Sequence, residues 1–231
     1  MIVVITGTSR GIGENLALRY LKQGHQVIGC SRSECHIQHN NYEHFIIDIT
    51  IEEQIKEFAK MVKKKYGHID VLINNAGIAS MNHFMLTPLE TVKNVMTTNF
   101  FASFAMTRAF VNCLKKSEQP RIINFSTVAV PFNLDGELAY VSSKAAVESF
   151  TKCLAKELAQ FKITVNAVGP TPVKTFLTAN ISEDKMQKLL DRQAIKRFGE
   201  FEDVGNVIDF YMQKSSDFIT GQIIYLGGVN K

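Results

Sequence analysis

The chain has 231 residues, of which 45% are hydrophobic and 21% are charged, and its formal net charge is +4. This composition is typical of a soluble globular protein, and the length suits one large domain with a sizeable core. The basic residues are scattered and the densest run, residues 63–65, is expected on the solvent face of a helix, which argues against a nucleic-acid partner.

The sequence pattern indicates neither a membrane protein nor a secreted disulfide scaffold. No apolar run approaches the length that spans a bilayer. The four cysteines, Cys30, Cys35, Cys113 and Cys153, form no CxxC pair and no metal-ligand spacing. We therefore expect reduced thiols in a cytoplasmic protein that contacts no membrane and binds no metal.

Short apolar runs alternate with longer helical patterns along the chain. The predicted strands are residues 2–5, 26–30, 44–48, 70–74, 121–125, 163–168 and 222–226. The predicted helices are residues 12–23, 52–66, 89–116, 137–160, 183–193 and 202–213. Nearly continuous apolar strands are typical of a parallel sheet covered on both faces. The sequence therefore predicts an α/β fold, with a Rossmann-like doubly wound, seven-stranded parallel sheet and helices on both faces, in a single domain over residues 1–231.

A glycine-rich turn, TGTSRGIG at residues 6–13, follows the first predicted strand. Gly7, Gly11 and Gly13 allow a tight turn and a close approach of the backbone to a ligand, and the helix that follows offers N–H groups to a phosphate. The spacing G-x-x-x-G-x-G differs from the dinucleotide fingerprint G-x-G-x-x-G. Glycines after a strand can also form a turn without a ligand, but this position in a doubly wound sheet favours phosphate binding.

A tyrosine and a lysine, Tyr140 and Lys144, stand four residues apart in a predicted helix, so their side chains share one face. A free phenol has a pKa of about 10, so at neutral pH only about a thousandth is ionised. An ammonium group ~4 Å away would favour the phenolate by roughly 4 kcal/mol before desolvation is subtracted. The pair therefore predicts a phenol that transfers protons, although a tyrosine at the edge of a core and a solvated lysine would show the same spacing.

Five motifs, in this order, resemble those of the short-chain dehydrogenase/reductase family. They are TGTSRGIG at 6–13, NNAG at 74–77, Asn99 within TTNFF, the serine and threonine at 126 and 127, and YVSSK at 140–144. The resemblance continues through VNAVGPTPVKT (165–175), RFGEFEDV (197–204) and ITGQIIYLGG (219–228), so it covers essentially the whole chain. It implies an oxidoreductase that transfers a hydride between a nicotinamide and a carbonyl or secondary alcohol.

The resemblance implies a role for each candidate catalytic residue. Tyr140 would protonate the carbonyl oxygen, Lys144 would bind the nicotinamide ribose, and Asn99 would bend its helix and position the lysine through a water. Asn99 could also merely satisfy backbone groups within its own helix. A hydroxyl of Ser126 or Thr127 would orient the substrate. The family places its serine thirteen residues before the tyrosine, and this count selects Thr127.

The resemblance also implies a set of cofactor-binding positions. They are Gly7, Ser9, Arg10, Gly11, Ile12, Gly13, Ser31, Arg32, Asp48, Ile49, Asn75, Ala76, Gly77, Tyr140, Lys144, Pro170, Val173 and Thr175. Residues 75–77 would contact the adenine ribose, although a turn without ligand contact would look similar. Asp48 would contact the adenine, or could instead cap the helix that begins near Ile51. The family commonly has glycine at the position of Thr171, and threonine disfavours positive φ, so the turn beside the nicotinamide is expected to differ.

A substrate lid is expected at residues 175–197, by resemblance. The side chains that could line a pocket are Met81, Phe84, Phe132, Leu134, Phe176 and Leu177. Phenylalanine and methionine clusters also form cores, so the sequence predicts only a carbonyl or alcohol substrate of partly apolar character. Two alternatives stay open: a 3-oxoacyl thioester reductase of the acyl-carrier-protein type, and a non-catalytic NADP-binding sensor.

The predicted helices at residues 89–116 and 137–160 carry more apolar surface than one core-facing stripe requires. The residues concerned are Phe101, Phe104, Ala145, Phe150 and Leu154. By resemblance, the family pairs these helices with their symmetry mates, although core packing explains part of the pattern equally well. A homodimer or homotetramer is therefore expected.

The cofactor is predicted to be NADP(H) in preference to NAD(H). A fold that selects NAD usually carries an acidic residue after the second strand, where it binds the ribose 2′-hydroxyl. Here Ser31 and Arg32 follow that strand and Arg10 lies in the glycine turn, so two guanidinium groups could bind a 2′-phosphate unless both are only solvated surface charges. Arg32→Asp should weaken NADPH far more than NADH, and equal efficiency of the two cofactors in the unmodified protein would contradict the prediction.

Overall fold

The structure is a computed structural model that describes residues 1–178 and 183–229. Its strands are β1 (Ile2–Thr6), β2 (Gln26–Ser31), β3 (Tyr42–Ile46), β4 (Val71–Asn74), β5 (Arg121–Phe125), β6 (Thr164–Gly169) and β7 (Ile223–Tyr225). All seven lie in one parallel sheet with the order β3-β2-β1-β4-β5-β6-β7. The predicted doubly wound, seven-stranded sheet is confirmed.

Eight α-helices are present in the described part of the chain. They are α1 (Gly11–Lys22), α2 (Glu52–Tyr66), α3 (Leu89–Met96), α4 (Ala102–Leu114), α5 (Ala129–Phe132), α6 (Leu138–Leu158), α7 (Glu183–Asp191) and α8 (Phe201–Met212). The run predicted as one helix at residues 89–116 contains a π-helical turn, Thr97–Phe101, between α3 and α4. The sequence did not predict α5, because four residues are too few to show a helical period.

Successive side chains of the central strands pack on opposite faces of the sheet. Val4 and Leu72 lie in the core cluster formed with α2, α4 and α6, whereas Val3 and Ile73 lie in the cluster formed with α1 and α8. All four side chains are fully buried. Because both faces are covered, the strands are apolar throughout and show no alternation in the sequence.

The strand order reverses direction between β1 and β4, so the carboxyl ends of these two strands border the crevice where doubly wound sheets bind ligands. The centre of the sheet is tied together nearby by a buried amide. Nδ2 of Asn74 donates to Oδ1 of Asn124 at 2.9 Å and to Oγ1 of Thr107 at 3.1 Å. These bonds join β4 to β5 and to α4, and they fix the strand ends that carry the candidate site.

No helix within residues 1–178 and 183–229 combines the length and the apolar character needed to cross a membrane.

Candidate active site

The glycine turn after β1 packs against the segment that follows β4. Gly7 and Gly11 have φ values of 77° and 64°, a region that glycine adopts readily and other residues avoid. A Cβ atom at Gly13 would lie 2.1 Å from the carbonyl oxygen of Gly7 and 2.5 Å from Nδ2 of Asn75. Only glycine therefore lets α1 begin so close to the strand ends, where its first N–H groups can bind a phosphate.

The NNAG segment is held to the first strand by hydrogen bonds. The backbone N–H groups of Asn75 and Ala76 donate to Oγ1 of Thr6 at 3.0 and 2.9 Å, and Nδ2 of Asn75 donates to the carbonyl oxygen of Thr6 at 2.8 Å. The segment is thereby fixed at the β1–β4 crevice, and its contact with a cofactor stays a prediction.

Asn99 is buried in the π-helical turn and links two other parts of the chain. Its Oδ1 accepts a hydrogen bond from the N–H of Ile78 at 2.8 Å, and its Nδ2 donates to the carbonyl oxygen of Ile78 and to Oγ of Ser143, both at 2.9 Å. A Cβ atom at Gly77 would lie 3.1 Å from Oδ1 of Asn99 and 3.5 Å from Nζ of Lys144. The alternative that the Asn99 side chain serves only its own helix is therefore wrong.

Lys144 is 5% exposed, and its Nζ donates to the carbonyl oxygen of Phe125 at 2.9 Å. The same Nζ lies 5.9 Å from the centre of the Tyr140 ring. The structure therefore brings the tyrosine and the lysine together on one face of α6, at the carboxyl end of β5. Burial lowers the pKa of Lys144 to about 8.

The predicted lowering of the tyrosine pKa is wrong for this arrangement. Burial raises the pKa of Tyr140 to about 12, the neighbouring Thr127 hydroxyl lowers it, and the carboxylate of Glu137 raises it. The physical reason is that Nζ of Lys144 is engaged by a carbonyl oxygen while desolvation penalises the phenolate. At neutral pH the phenol of Tyr140 is therefore protonated.

Ser126 and Thr127 direct their hydroxyl groups to different places. The Ser126 hydroxyl donates to Oε1 of Glu148, which also accepts a hydrogen bond from the Tyr225 hydroxyl at 2.6 Å. The Thr127 hydroxyl lies beside Tyr140, where it lowers the phenol pKa, and it also accepts from the N–H of Ala129 at 3.2 Å. This arrangement supports Thr127 as the hydroxyl next to the candidate proton donor.

The positions predicted to bind a 2′-phosphate lie at the end of β2 and in the glycine turn. Oγ of Ser31 donates to the carbonyl oxygen of Ser33 at 2.6 Å, and Arg32 is exposed. The guanidinium of Arg10 is exposed and stacks on the ring of Phe176, with Cζ 4.2 Å from the ring centre. Among the residues that the structure describes, neither arginine forms an ion pair.

Asp48 follows β3 at the position predicted to contact an adenine. Its Oδ1 accepts hydrogen bonds from the N–H of Thr50 at 2.9 Å and from the Thr50 hydroxyl at 2.7 Å. The N-cap residue of α2 is Ile51, without a side-chain cap. The alternative that Asp48 caps α2 is therefore wrong, because its carboxylate closes a local turn instead.

The turn at Thr171 does not need glycine. Asn133 and Lys162 are the non-glycine residues with positive φ in the described ranges, so Thr171 has an ordinary backbone conformation. Its hydroxyl donates to Oε1 of the buried Gln193, just after α7. The threonine therefore anchors the segment that leaves the lid helix and does not strain the turn.

The predicted lid contains α7, and its residues 179–182 lie outside the described ranges. The two ends of the lid meet, because the N–H of Gly199 donates to the carbonyl oxygen of Pro172 at 2.9 Å. A Cβ atom at Gly11 would lie 3.7 Å from Cγ2 of Thr175, so the start of the lid lies against the glycine turn. Val173, another predicted cofactor position, is buried between these segments.

The predicted pocket residues differ in exposure. Phe84, Phe176 and Leu177 are exposed, and Met81 and Leu134 are half-buried. Phe132 is 3% exposed, and Cζ of Arg192 lies 4.5 Å from its ring centre. Phe132 is therefore buried, with a guanidinium from the end of the lid covering its ring.

Two carboxylates beside the site were missed in the sequence. Glu137 precedes Tyr140 by three residues, and Glu148 follows Lys144 by four. Residues at spacings of three and four lie on one helix face, so the spacing along α6 would have indicated both. No group of three histidine, cysteine, aspartate or glutamate side chains in the described ranges is placed to hold a metal ion.

A comparison with protein-family models identifies the class of this chain. The model described as short chain dehydrogenase matches residues 1–186, which is most of the chain. The chain belongs to the short-chain dehydrogenase family. The resemblance seen in the five motifs is thereby confirmed, and membership identifies the protein as an oxidoreductase of this family.

Curated relatives of this short-chain dehydrogenase share one name, 3-oxoacyl-[acyl-carrier-protein] reductase FabG. The chain is 33% identical to the protein of Thermotoga maritima over 236 residues, which cover 98% of this chain and 96% of that protein. It is 33% identical to the protein of Buchnera aphidicola subsp. Acyrthosiphon pisum, with 97% and 94% covered, and 29% identical to that of Escherichia coli K12, with 98% and 96% covered.

Solved structures with the same fold include enzymes with different substrates in their names. The ligand-free aldohexose dehydrogenase of Thermoplasma acidophilum superimposes with a TM-score of 0.90 at 28% identity, covering 99% of this chain and 93% of that one. The 3-ketoacyl-(acyl-carrier-protein) reductase of Brucella melitensis, complexed with NADH, gives a TM-score of 0.89 at 25% identity, covering 97% and 96%. The fold and family are therefore shared across different substrates.

Thr127→Ala is expected to lower the turnover rate by about a hundred- to a thousandfold, because it removes a hydrogen-bond donor to a developing oxyanion. Thr127→Ser should keep most of the activity. Ser126→Ala should change it little, because that hydroxyl faces Glu148. Turnover rates at saturating cofactor distinguish these cases. A strongly reduced turnover rate in Ser126→Ala, together with a normal rate in Thr127→Ala, would contradict the choice of Thr127.

Lys144 should make the stability of the protein increase with pH. The folded protein holds its pKa at about 8, below the ordinary value of 10.5, so between these values the unfolded chain binds a proton that the folded chain has lost. The free energy of unfolding therefore rises over this range. In urea titrations, we compare the free energy of unfolding of Lys144→Met with that of the unmodified protein. The value for Lys144→Met minus the value for the unmodified protein should decrease by up to ~3 kcal/mol between pH 8 and 10.5.

The hydrogen bond that Nζ donates to Phe125 is stronger from the ammonium than from the neutral amine, so its effect is already part of the folded-state pKa on which the expected difference rests. Lys156→Met, at an exposed position of the same helix, is the matched control. An equal change with pH in this control would contradict the assignment to the buried Lys144.

Proposed function

We propose that this protein is an NADP(H)-dependent oxidoreductase that transfers a hydride between the nicotinamide and a carbonyl or secondary alcohol, with Tyr140 as general acid and base. The observation that carries this proposal is the meeting of Thr127, Tyr140, Lys144 and Asn99 at the carboxyl ends of β4 and β5. A protein that only binds a dinucleotide has no need of a half-buried phenol next to a buried ammonium group.

We propose the crevice between β1 and β4 as the dinucleotide site. A side chain at Gly13 would collide with the carbonyl oxygen of Gly7, and a side chain at Gly77 would lie 3.1 Å from Oδ1 of Asn99. These glycines support a dinucleotide site, because they let the start of α1 and the segment after β4 approach the strand ends closely. The pyrophosphate would lie at the start of α1, the adenine near Asp48, and the nicotinamide ribose within reach of Lys144.

The chain's own residues supply the proton chemistry. Bound cofactor would supply the hydride. Tyr140 would give its hydroxyl proton to the carbonyl oxygen, and Thr127 would donate a second hydrogen bond to the same oxygen. Because the pKa of Tyr140 is raised to about 12, the phenol keeps its proton at neutral pH, which suits the reduction of a carbonyl. Lys144, whose Nζ donates to the carbonyl oxygen of Phe125, would bind the nicotinamide ribose.

The preference for NADP(H) is supported by the two exposed arginines, Arg10 and Arg32. No acidic residue stands at the end of β2, where Ser31 and Arg32 occur. Both guanidinium groups are available to a 2′-phosphate, and a guanidinium binds phosphate oxygens through two parallel hydrogen bonds. The structure of the Brucella melitensis relative contains NADH. The affinities of this protein for NADPH and NADH should therefore be measured side by side.

A 3-oxoacyl thioester is the alternative substrate that the relatives favour, since those compared above are named FabG at about 30% identity. The aldohexose dehydrogenase with the same fold supports a smaller polar substrate. A non-catalytic NADP-binding sensor is the alternative outside enzymology. We propose the cytoplasm as the location, in keeping with four free cysteines.

The decisive experiment is a substrate panel followed at the nicotinamide absorbance, with acyl thioesters, sugars, steroids and small diketones. NADPH should be oxidised by at least one class, and Tyr140→Phe should slow turnover about a hundred- to ten-thousandfold. The same variant should still bind NADPH with little change, because the phenol proton takes no part in binding the phosphates. Tight NADPH binding without turnover across the panel would favour the sensor.

We also propose a homodimer or homotetramer built on α4 and α6. Phe101 and Phe104 are 55% and 45% exposed, and Phe104 packs against Phe150 of α6 with ring centres 5.9 Å apart. Helices that face only water rarely expose aromatic side chains in one patch. Such a patch is typical of a protein–protein interface. Multi-angle light scattering at micromolar concentration should give a dimer or tetramer mass, and a monomer would contradict the proposal.

A further inference from the structure

We propose that His44 is a positioning residue for cofactor choice: its ring anchors the loop after β2 to the glycine turn and so holds Arg32 where it can bind a 2′-phosphate. The inference rests on the proposed NADP(H) preference and deepens it. His44 lies on β3, outside the set of residues assigned to the cofactor above, and it would act on the phosphate only through Arg32.

A polar cluster lies on one face of the sheet, where β2 and β3 run beside the glycine turn. His44 pairs with Gly29 in the parallel register of these strands, and Tyr42 lies two residues earlier, so its side chain shares the face. A Cβ atom at Gly29 would lie 2.3 Å from Oη of Tyr42 and 2.4 Å from Oγ1 of Thr8. The glycine therefore leaves the space in which three polar side chains meet.

On one side, the imidazole of His44 binds the loop that carries Arg32. Its Nε2 lies 3.0 Å from the carbonyl oxygen of Ser33 and 3.1 Å from Oγ of Ser31. A carbonyl oxygen only accepts hydrogen bonds, so Nε2 carries the hydrogen and donates to Ser33. The Ser31 hydroxyl donates to the same carbonyl oxygen at 2.6 Å. The two residues that flank Arg32 are thereby tied to each other and to β3.

On the other side, the ring of His44 faces the glycine turn. In the neutral ring with its hydrogen on Nε2, the second nitrogen, Nδ1, is an acceptor. It lies 3.0 Å from Oη of Tyr42 and 3.3 Å from Oγ1 of Thr8. The Tyr42 hydroxyl donates to Oγ1 of Thr8 at 2.9 Å, so the Thr8 hydroxyl can donate to Nδ1. Thr8 is fully buried, and its carbonyl oxygen accepts from the Cys35 thiol at 3.3 Å. Two links therefore join the loop to the turn.

The network favours one cofactor because only NADPH carries a 2′-phosphate. Arg32 is exposed and its side chain loses rotamer freedom when it binds, so a backbone that is already fixed lowers the entropic cost of placing the guanidinium. NADH presents no phosphate at this place and gains nothing from the fixed loop. Loss of the ring nitrogens should therefore weaken NADPH selectively, whereas bonds that merely stabilised the edge of the sheet would affect both nucleotides alike.

Direct binding measurements without substrate test the proposal, since they do not depend on turnover. Isothermal titration calorimetry gives the dissociation constants of NADPH and NADH. His44→Phe keeps an aromatic ring but removes both nitrogens, and it should weaken NADPH about tenfold and NADH by less than about twofold. His44→Gln keeps a donor for the carbonyl oxygen of Ser33 and should retain most of the NADPH affinity. An equal loss in the two variants would overturn the proposal, because it would point to the charge or shape of the ring.

Tyr66→Phe is the matched control for a loosened sheet edge. The Tyr66 hydroxyl donates to Oε2 of Glu43 on β3 at 2.7 Å and accepts from Nε2 of Gln26 on β2 at 3.2 Å, so its loss removes two hydrogen bonds from the same pair of strands. Both affinities should change by less than about twofold in this control. A selective loss of NADPH affinity in Tyr66→Phe, or equal weakening of both nucleotides in His44→Phe, would overturn the proposal.

A double-mutant cycle tests whether His44 acts through Arg32. In the Arg32→Ala background, His44→Phe should weaken NADPH by less than about twofold, because the side chain that it positions is absent. A loss of about tenfold in that background would contradict the positioning role. Failure of the proposed cofactor preference is a different result, which the unmodified protein shows by itself: it would then bind NADH as tightly as NADPH, and the role of His44 would fail with it.

Discussion

A buried ammonium group is the interaction around which the centre of this protein is arranged. Lys144 donates to the carbonyl oxygen of Phe125 at the end of β5, and its neighbour Ser143 accepts a hydrogen bond from Asn99. Asn99 in turn binds the backbone of Ile78 after β4. One network therefore holds α6, the π-helical turn and the ends of two central strands. Removing water from a charge is unfavourable unless its hydrogen bonds are fixed, so the surrounding segments must keep their positions.

The π-helical turn follows from the same constraint. In a regular helix through residues 97–101, the 3.6-residue period would continue and would fix the direction of the Asn99 side chain. The wider turn inserts one residue, and such π-bulges occur frequently at functional sites. Here it places a buried amide where it can bond both Ile78 and Ser143. The irregularity of the helix is thus the structural basis for joining the NNAG segment to the helix that carries the tyrosine.

One face of α6 presents four ionisable groups to four different surroundings. Glu137 is the N-cap residue and makes no side-chain cap bond, Tyr140 is half-buried, Lys144 binds a strand carbonyl, and Glu148 is satisfied by Ser126 and Tyr225. The same helix therefore presents a phenol, a positive charge and two carboxylates, each in different surroundings. The differences arise from the strands and the lid that pack against each turn of the helix, and not from the helix itself.

Much of the fold could be predicted from the sequence, because hydrophobic period and glycine placement are local properties of the chain. The apolar runs marked all seven strands, and the spacing of Tyr140 and Lys144 placed both on one helix face. The count of thirteen residues selected Thr127 over Ser126. The roles of these residues came from the family resemblance.

The tertiary structure decided what depends on contacts between distant segments. The pKa of Tyr140 rises where the spacing alone predicted a decrease, because desolvation and the Lys144–Phe125 contact are properties of the packed core. The covering of Phe132 by Arg192 and the bond from Thr171 to Gln193 involve residues far apart in sequence. A sequence pattern reports which residues can share a face, whereas only the packed structure determines which groups lose water and which find a partner.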